Sequence, residues 1–228
     1  MLIAGLAKSS LVDYPGLISA VIFLPGCNYN CFYCHNRQLI KGGEGFISPK
    51  YIENFLLKRR DTLEGVVISG GEPTLATGLT PLIAQIKLLG YKVKLDTNGS
   101  NPHIIETLLN KGLVDYYAVD YKAPKEQYAQ ICGKEASGET ALKTINLLKQ
   151  KAANFEVRTT VYPQLTLEAL ITMAGELPTL PRWVLNNYRK PLNYLPKDEA
   201  KINQPPYTGV EINGFVKQIQ KYQPNLKF

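Results

Sequence analysis

The chain has 228 residues, of which 45% are hydrophobic and 20% charged, and its formal net charge is +7. Length and composition predict one globular domain, and no stretch approaches the roughly 20 apolar residues of a membrane-spanning helix. The positive charge favours an anionic ligand or an acidic partner, but no dense run of Lys and Arg indicates nucleic acid. The first eight residues lack the layout of a signal peptide, so we expect a cytoplasmic location.

Short β-type runs alternate with helical patterns along the chain. Strands are predicted at Leu17–Leu24, Gly65–Ser69, Tyr91–Leu95, Val114–Val119, Phe155–Val161 and Arg182–Leu185. Helices are predicted from Pro49, with Ser48 as the N-cap, to about Arg60, and near residues 79–89, 102–110, 139–151, 167–177 and 210–222. Six strands that alternate with helices indicate an α/β fold with a parallel sheet. Either an incomplete (β/α) barrel or a doubly wound open sheet satisfies this pattern.

Three of the four cysteines, Cys27, Cys31 and Cys34, fall within eight residues, and Cys132 is far downstream. Bunched thiols in a chain of this size indicate metal ligands rather than a disulfide framework. The spacing favours an iron–sulfur cluster held by three thiolates, with one iron left for another ligand. Zinc, for which His35 is the nearest fourth ligand, and unligated thiols are the alternatives.

Polar residues follow the predicted strands where each strand ends. They are Gly70, Gly71 and Glu72 after the second strand, Asp96 and Thr97 after the third, Asp120 and Lys122 after the fourth, and Arg158 late in the fifth. The carboxyl ends of parallel strands form the active sites of α/β proteins, so these residues are candidates for one site.

Each of these groups also has a simpler interpretation. The two glycines permit close approach of the backbone to a ligand and Glu72 could hold an ammonium group, but the segment could equally be a strand–helix turn. The Asp96–Gly99 segment could be an Asx-type turn. Asp120 and Lys122 could clamp the carboxylate of a bound amino acid, or could form a surface ion pair of little consequence.

Six segments together carry a resemblance to a known family. The chain resembles the radical S-adenosylmethionine (AdoMet) superfamily and, more narrowly, the anaerobic ribonucleoside-triphosphate reductase activating proteins, which are relatives of the pyruvate formate-lyase activating enzyme. The resemblance rests on SLVDYPG (Ser10–Gly16), GCNYNCFYCHN (Gly26–Asn36), VVISGGEPTL (Val66–Leu75), KLDTNGSNP (Lys94–Pro102), GLVDYYAVDYKAP (Gly112–Pro124) and VRTTV (Val157–Val161). It covers residues from about 5 to 165 and fades beyond them.

The resemblance implies an incomplete (β/α)6 TIM-like barrel of the radical AdoMet type. It implies a single domain over residues 1–228, with an N-terminal extension (1–16), a partial-barrel core (17–190) and a C-terminal loop and helix (191–228). Cys27, Cys31 and Cys34 would hold a [4Fe–4S] cluster whose fourth iron binds AdoMet. The residues implied to contact AdoMet are Tyr33 near the adenine, Gly70, Gly71 and Glu72 at the methionine ammonium, Lys122 at the carboxylate, Arg158 nearby, and Asp96, Thr97 and Asp120 around a monovalent cation.

The resemblance further implies reductive cleavage of AdoMet and abstraction of a hydrogen atom, by a 5′-deoxyadenosyl radical, from a glycine of anaerobic ribonucleoside-triphosphate reductase. A flavodoxin- or ferredoxin-type protein is expected as the electron donor. The alternatives are activation of another glycyl-radical enzyme of the pyruvate formate-lyase type, a small-molecule enzyme such as a 7-carboxy-7-deazaguanine synthase, and a metal-bearing binding module without turnover. Cys132 is expected to be a small buried residue, and the Lys8–Gly16 segment either a partner or AdoMet-edge contact or a plain strand and turn.

Overall fold

The computed structural model describes residues 1–42 and 45–228. Within these residues it contains eight strands, and strand order follows chain order. The strands are β1 (Gly5–Ser10), β2 (Ser19–Leu24), β3 (Gly65–Gly70), β4 (Lys92–Thr97), β5 (Tyr116–Asp120), β6 (Phe155–Val161), β7 (Trp183–Asn187) and β8 (Leu226–Lys227). The six predicted strands are β2 to β7, and the α/β class is confirmed.

Helices follow most of these strands. They are α1 (Pro49–Leu57), α2 (Leu79–Leu88), α3 (Pro102–Asn110), α4 (Tyr128–Cys132), α5 (Gly138–Gln150), α6 (Leu167–Glu176), α7 (Glu199–Ile202) and α8 (Gly209–Ile219). The predicted start of α1 is confirmed, because the Ser48 side chain accepts a hydrogen bond from the Tyr51 N–H and Pro49 is in the first turn. The helix ends at Leu57, earlier than the predicted Arg60. None of the helices in the described ranges is long and apolar enough to cross a bilayer.

The structure has two strands beyond the six predicted: β1, which was expected only as one alternative for Lys8–Gly16, and β8, which was not expected. β1 pairs antiparallel with β2 and has a register irregularity between Ala7 and Ser10. β8 has two residues and pairs with β7. Neither segment carries the continuous apolar run that marks a buried strand, so only its pairing partner defines it.

The segment after β1 forms a turn. The Ser10 hydroxyl accepts hydrogen bonds from the Val12 and Asp13 N–H groups, and Tyr14 beyond it is buried. Of the two interpretations of Lys8–Gly16, the strand and turn is therefore the one seen. Contact of this segment with a partner stays a prediction.

The described residues divide into two compact units. One comprises residues 1–28, 38–97 and 103–118, and the other residues 29–37, 98–102 and 119–228. In the first unit β2, β3 and β4 are parallel, with Val21 opposite Val67 and Val67 opposite Lys94. In the second unit β6 and β7 are parallel, with Arg158 opposite Val184. The organisation into a single domain stays a prediction.

Each unit has an apolar core that supports its strand ends. In the first, Val66, Val67 and Ile68 of β3 are fully buried, as the uninterrupted run GVVIS predicts. In the second, Trp183 is fully buried and its indole N–H donates to Thr159 Oγ1 at 3.0 Å. The Thr159 hydroxyl in turn donates to the Tyr121 carbonyl at 2.6 Å. These contacts fix the backbone beside Asp120 and Arg158.

Candidate active site

The Gly70–Gly71 turn packs directly against the chain segment that leads into the cysteine motif. Gly70 has a φ of +120°, and a Cβ there would lie 2.3 Å from the Leu24 carbonyl oxygen. A Cβ on Gly71 would lie 2.0 Å from the Gly26 carbonyl oxygen. The two glycines are therefore required for close approach to Leu24 and Gly26, a reason that the sequence analysis did not give.

Glu72 is fully buried at this turn. Its N–H donates to the Gly26 carbonyl at 2.7 Å, so the turn braces the residue before Cys27. Its Oε1 accepts hydrogen bonds from the Thr74 N–H at 3.1 Å, the Thr74 hydroxyl at 2.5 Å and the Thr97 hydroxyl at 2.8 Å. These neutral donors orient the carboxylate without neutralising its charge.

The alternative interpretations of the two turns are partly correct. Glu72 does cap a short 3₁₀ turn, Pro73–Leu75, through its bond to the Thr74 N–H. Asn98 forms the Asx-type turn, because its side-chain oxygen accepts from the Ser100 N–H at 2.9 Å. Gly99, with a φ of +74°, completes that turn. Each of the two short segments thus combines a local turn with a candidate site carboxylate, Glu72 in the first and Asp96 in the second.

Asp96 lies on β4 and forms an ion pair with Lys94, which the sequence analysis did not single out. The side chain of Lys94 is 1% exposed and that of Asp96 is 12% exposed. Residues two apart on a strand point to the same side, and this accounts for the contact. A signal was available in the sequence, since a lysine two residues before a candidate site carboxylate in a buried strand needs a partner.

Asp120, Lys122 and Arg158 form a second ionic cluster, in the other unit. The Lys122 ammonium contacts Asp120 Oδ2 at 3.0 Å, and the Arg158 guanidinium contacts Oδ1 through Nε at 3.1 Å and Nη2 at 3.0 Å. Burial raises the pKa of Asp120, but Lys122 and Arg158 lower it more, to about 2. With 31% of the Asp120 side chain and 16% of the Lys122 side chain exposed, the group is more than a surface ion pair.

The cysteine motif is held by the last turn of α4. The N–H groups of Asn30 and Phe32 donate to the carbonyls of Cys132 and Ile131, at 2.7 and 3.3 Å. Cys132 is fully buried, as predicted, but it also contacts the motif. A side-chain hydrogen bond with Cys132 lowers the pKa of the Cys31 thiol to about 7, whereas burial raises the pKa of the Cys34 thiol.

Tyr33 has a polar atom that suits a ligand. The residue is 6% exposed, and its ring stacks on that of Tyr162, with the ring centroids 4.9 Å apart. Its hydroxyl is buried and has no hydrogen-bond partner, which is unusual for a buried polar group. Burial, and the nearby thiols of Cys132 and Cys31, raise the pKa of this hydroxyl. An unpaired hydroxyl beside the cysteines fits a site that receives a polar cofactor.

The predicted site residues therefore fall into groups within each unit. In the first unit the turn Gly70–Glu72 contacts Thr97, and Asp96 pairs with Lys94. In the second unit one group of residues lies close enough together for each charge to influence the pKa of its neighbours; its members are Cys31, Cys34, Tyr33, Asp120 and Lys122. Arg158 pairs with Asp120 in the same unit. Cys27 belongs to the first unit, where its N–H donates to the Ile40 carbonyl at 3.3 Å. None of the four cysteines forms a disulfide.

Residues 1–42 and 45–228 contain no group of three or more His, Cys, Asp or Glu side chains arranged to hold a metal ion. The thiolates of a cubane cluster bind different irons rather than one shared ion. The cysteines of the motif can serve as cluster ligands because none of them is in a disulfide, and the unpaired Tyr33 hydroxyl suits a polar cofactor beside the cluster. His35 is an exposed residue, and the partial burial of its ring lowers the pKa of the imidazole.

Comparison with known proteins identifies the class. The profile of the Radical SAM superfamily matches residues 21–177. A Methanocaldococcus jannaschii protein, provisionally named a glycyl-radical enzyme activating enzyme, is 39% identical over 171 residues, which are 72% of this chain and 69% of that protein. The 7-carboxy-7-deazaguanine synthase of Clostridium acetobutylicum is 28% identical over 134 residues, 58% of this chain and 54% of that protein.

Among solved structures, Streptococcus suis SuiB bound to S-adenosylmethionine superposes with a TM-score of 0.68. The match is 16% identical and covers 91% of this chain but only 51% of SuiB, so the chain spans about half the length of that enzyme. At this identity the match shows the fold alone.

The chain belongs to the radical SAM superfamily, whose members are enzymes that use a [4Fe–4S] cluster and AdoMet. Within that superfamily it is in the same family as the M. jannaschii protein, so the resemblance carried by the six sequence segments is confirmed at this level.

Proposed function

We propose that this chain is a radical AdoMet activase that installs a glycyl radical on an anaerobic ribonucleoside-triphosphate reductase. The observation that carries the proposal is the bond between the Glu72 N–H and the Gly26 carbonyl, 2.7 Å long. It holds the backbone of Glu72, whose side chain is fully buried, against the residue that precedes Cys27. The kind of partner is supported by the name of the relative that is 39% identical, and its particular identity by the resemblance that the six sequence segments carry together.

In this proposal Cys27, Cys31 and Cys34 bind the [4Fe–4S] cluster. When bound, the cluster supplies the electron that cleaves AdoMet to methionine and the 5′-deoxyadenosyl radical, which removes a hydrogen atom from the partner glycine. The protein supplies orientation and charge for this chemistry. The α4 backbone holds Cys31 in place through the flanking bonds at Asn30 and Phe32.

Charged side chains would bind the methionine portion of AdoMet. Glu72, oriented by Thr74 and Thr97, receives the ammonium group. Lys122 receives the carboxylate. Burial lowers the pKa of Lys122, but the Asp120 carboxylate raises it more, and the net pKa lies above the ordinary value. The ammonium of Lys122 therefore stays charged at any pH at which the enzyme works.

The adenine portion is assigned to the aromatic group of the cysteine motif. The Tyr33 ring is fixed by stacking on Tyr162 and by an edge contact with Phe32. Rings held in this way present a preformed apolar wall, and the buried Tyr33 hydroxyl adds a hydrogen-bonding group.

The electron donor is proposed to be a flavodoxin- or ferredoxin-type protein. The formal net charge of +7 favours an acidic partner and predicts association that weakens with salt. A cytoplasmic location is part of the proposal, because thiols that hold a cluster instead of forming disulfides require a reducing compartment.

The proposal is tested by anoxic EPR. The cluster-loaded protein, AdoMet and a reductant are mixed with the anaerobic ribonucleotide reductase of the same organism, and 5′-deoxyadenosine is counted. We expect a glycyl-type doublet with a matching amount of 5′-deoxyadenosine. Deoxyadenosine without a protein radical would overturn the assignment of the partner, and the same assay would then be run with a pyruvate formate-lyase type enzyme.

A second candidate is an enzyme of the 7-carboxy-7-deazaguanine synthase type, which acts on a small molecule. The relative from C. acetobutylicum that is 28% identical favours it. Deoxyadenosine that forms only when a pterin-like substrate is added, with no partner protein present, would select this function over the first.

A further inference from the structure

The resemblance assigns two carboxylates, Asp96 and Asp120, to a monovalent cation, and both are already paired with cationic side chains of this chain. We propose that the Lys94 ammonium, together with Lys122 and Arg158, supplies the positive charge at these carboxylates, so that AdoMet binding by this enzyme needs no sodium or potassium ion. The inference rests on the proposed AdoMet site and concerns how that site is neutralised.

The first observation is the pair on β4. Lys94 is 1% exposed, and its ammonium contacts Oδ1 of Asp96. A lysine so completely buried would carry a large desolvation cost if it were charged and unpaired. The pair is therefore an integral part of β4, and a metal ion at the same carboxylate oxygen would have to displace the ammonium.

The second observation concerns Asp120, in the other unit. Its Oδ2 accepts from the Lys122 ammonium at 3.0 Å, and its Oδ1 accepts from the Arg158 guanidinium at 3.0 and 3.1 Å. Both oxygens therefore contact a cation. Arg158 stays protonated under all ordinary conditions, and neither Lys nor Arg has an acceptor atom to offer a metal ion.

Together the two observations argue against the binding of a monovalent cation by Asp96 and Asp120. A sodium or potassium ion at Asp96 or Asp120 would have to use carboxylate oxygens as ligands, and here each carboxylate has a cationic partner within its own unit. A metal ion at either carboxylate would also be repelled by the cationic side chains that already contact that carboxylate. The described residues thus fit the AdoMet assignment but do not fit the cation.

The experiment measures the affinity of the cluster-loaded protein for AdoMet by anoxic calorimetry, in NaCl, KCl or choline chloride at equal ionic strength. We expect the Kd to agree in the three salts within about twofold. A Kd at least about tenfold weaker in choline chloride would overturn the inference and leave the proposed function intact. Failure to bind AdoMet in every salt would overturn the proposed site and, with it, this inference.

A variant tests whether Lys94 supplies the charge. Lys94→Met keeps the length of the side chain and removes the ammonium, so Asp96 should recruit a cation from solution. We expect a Kd about tenfold tighter in KCl or NaCl than in choline chloride. The cluster-free variant should show a Tm that rises with NaCl or KCl but not with choline chloride.

Lys92→Met is the matched control, since Lys92 is on the same strand but its side chain is 62% exposed. This control should give the same Kd and Tm trends as the wild type. Equal behaviour of Lys94→Met in all three salts would overturn the role of Lys94. If Lys94→Met does not fold, the comparison of salts on the wild-type protein decides the question alone.

Discussion

The two ends of the parallel strands β3 and β4 carry the same kinds of residue in opposite surroundings. At the carboxyl end, Lys94 pairs with Asp96 in the interior, Glu72 is fully buried, and Gly71 lies against backbone. At the amino end, Lys92 pairs with Asp115 at 3.3 Å near solvent, Glu64 is exposed and Gly65 lies against the Tyr14 ring.

The comparison teaches that composition does not distinguish a site from a scaffold. Glu64 accepts a hydrogen bond from the Ile18 N–H at 3.0 Å and stays hydrated, whereas Glu72 accepts its bonds where water is excluded. Charges in low dielectric interact strongly and are costly to leave unpaired, whereas exposed pairs contribute little. Each residue at the carboxyl end therefore has a counterpart at the amino end whose replacement should matter much less.

The largest difference is expected for the two lysines. Lys94→Met leaves Asp96 with a buried charge and should lower the free energy of unfolding by about 3 to 5 kcal/mol. Lys92→Met removes an exposed pair and should cost about 0 to 1 kcal/mol. Urea denaturation of both variants, without cluster and in choline chloride, measures the two values. Similar losses in the two variants would contradict the comparison.

The glycines are expected to differ next. Gly71→Ala places a Cβ 2.0 Å from the Gly26 carbonyl oxygen, and because that neighbour is backbone, the turn must move. We expect a loss of about 3 kcal/mol and poor incorporation of the cluster. Gly65→Ala meets Cδ1 of the buried Tyr14 ring at 2.9 Å; a ring can move further than backbone, so this change should cost less, about 1 to 2 kcal/mol. Iron and sulfide analysis after reconstitution gives the second readout, and normal cluster content in Gly71→Ala would argue against the bracing role of this turn.

The two glutamates should differ in ligand binding rather than in stability. Glu72→Gln keeps an acceptor for Thr74 and Thr97 but removes the charge, and should weaken AdoMet binding about 10- to 100-fold. Glu64→Gln should leave the Kd unchanged. Anoxic calorimetry compares the two variants, and an unaltered Kd in Glu72→Gln would refute its role as the ammonium anchor.

The smallest effect concerns Asp115 and depends on pH. Burial raises the pKa of Asp115, but hydrogen bonds from Lys87 and the Val93 N–H lower it more, and the net pKa lies below the ordinary value of 3.8. A lowered carboxyl pKa stabilises the fold above the unfolded value, and this contribution is lost as the pH falls through the folded value. Asp115→Asn should therefore be less stable than the wild type by about 1 kcal/mol at pH 7, with the difference shrinking below about pH 4. Urea midpoints at pH 7 and pH 3 test this, and a difference that did not shrink would count against it.

Much of the site could be predicted because its chemistry is encoded in short segments. The cysteine spacing, the Gly-Gly-Glu turn and the Asp-Thr pair are each contiguous in sequence, and each lies at the end of a strand or just after it, where an apolar run identifies the strand. The six strands β2 to β7 were found for the same reason. Of the two edge strands, β8 was missed and β1 was expected only as an alternative, because their pairing depends on distant residues, as in the Gly5–Phe23 register of β1 with β2.

Lys94 was missed for a different physical reason. In a strand of alternating residues a lysine is typical of the solvent face. The sequence shows Asp96 as a partner two residues away, but only tertiary packing shows that the Lys94 side chain is buried. The steric role of Gly71 was hidden in the same way, since its neighbour Gly26 lies far away in sequence. Sequence shows which groups are present, and burial decides what each of them can do.

The most direct test of the central claim is the anoxic count of 5′-deoxyadenosine formed per cluster by the wild-type protein and by Cys31→Ala, with dithionite as the reductant. We predict that the wild type converts AdoMet to 5′-deoxyadenosine and methionine in equal amounts, and that Cys31→Ala retains neither the cluster nor the reaction. A wild-type protein that holds its cluster but forms no deoxyadenosine, or a Cys31→Ala variant with full iron and sulfide content, would contradict the account.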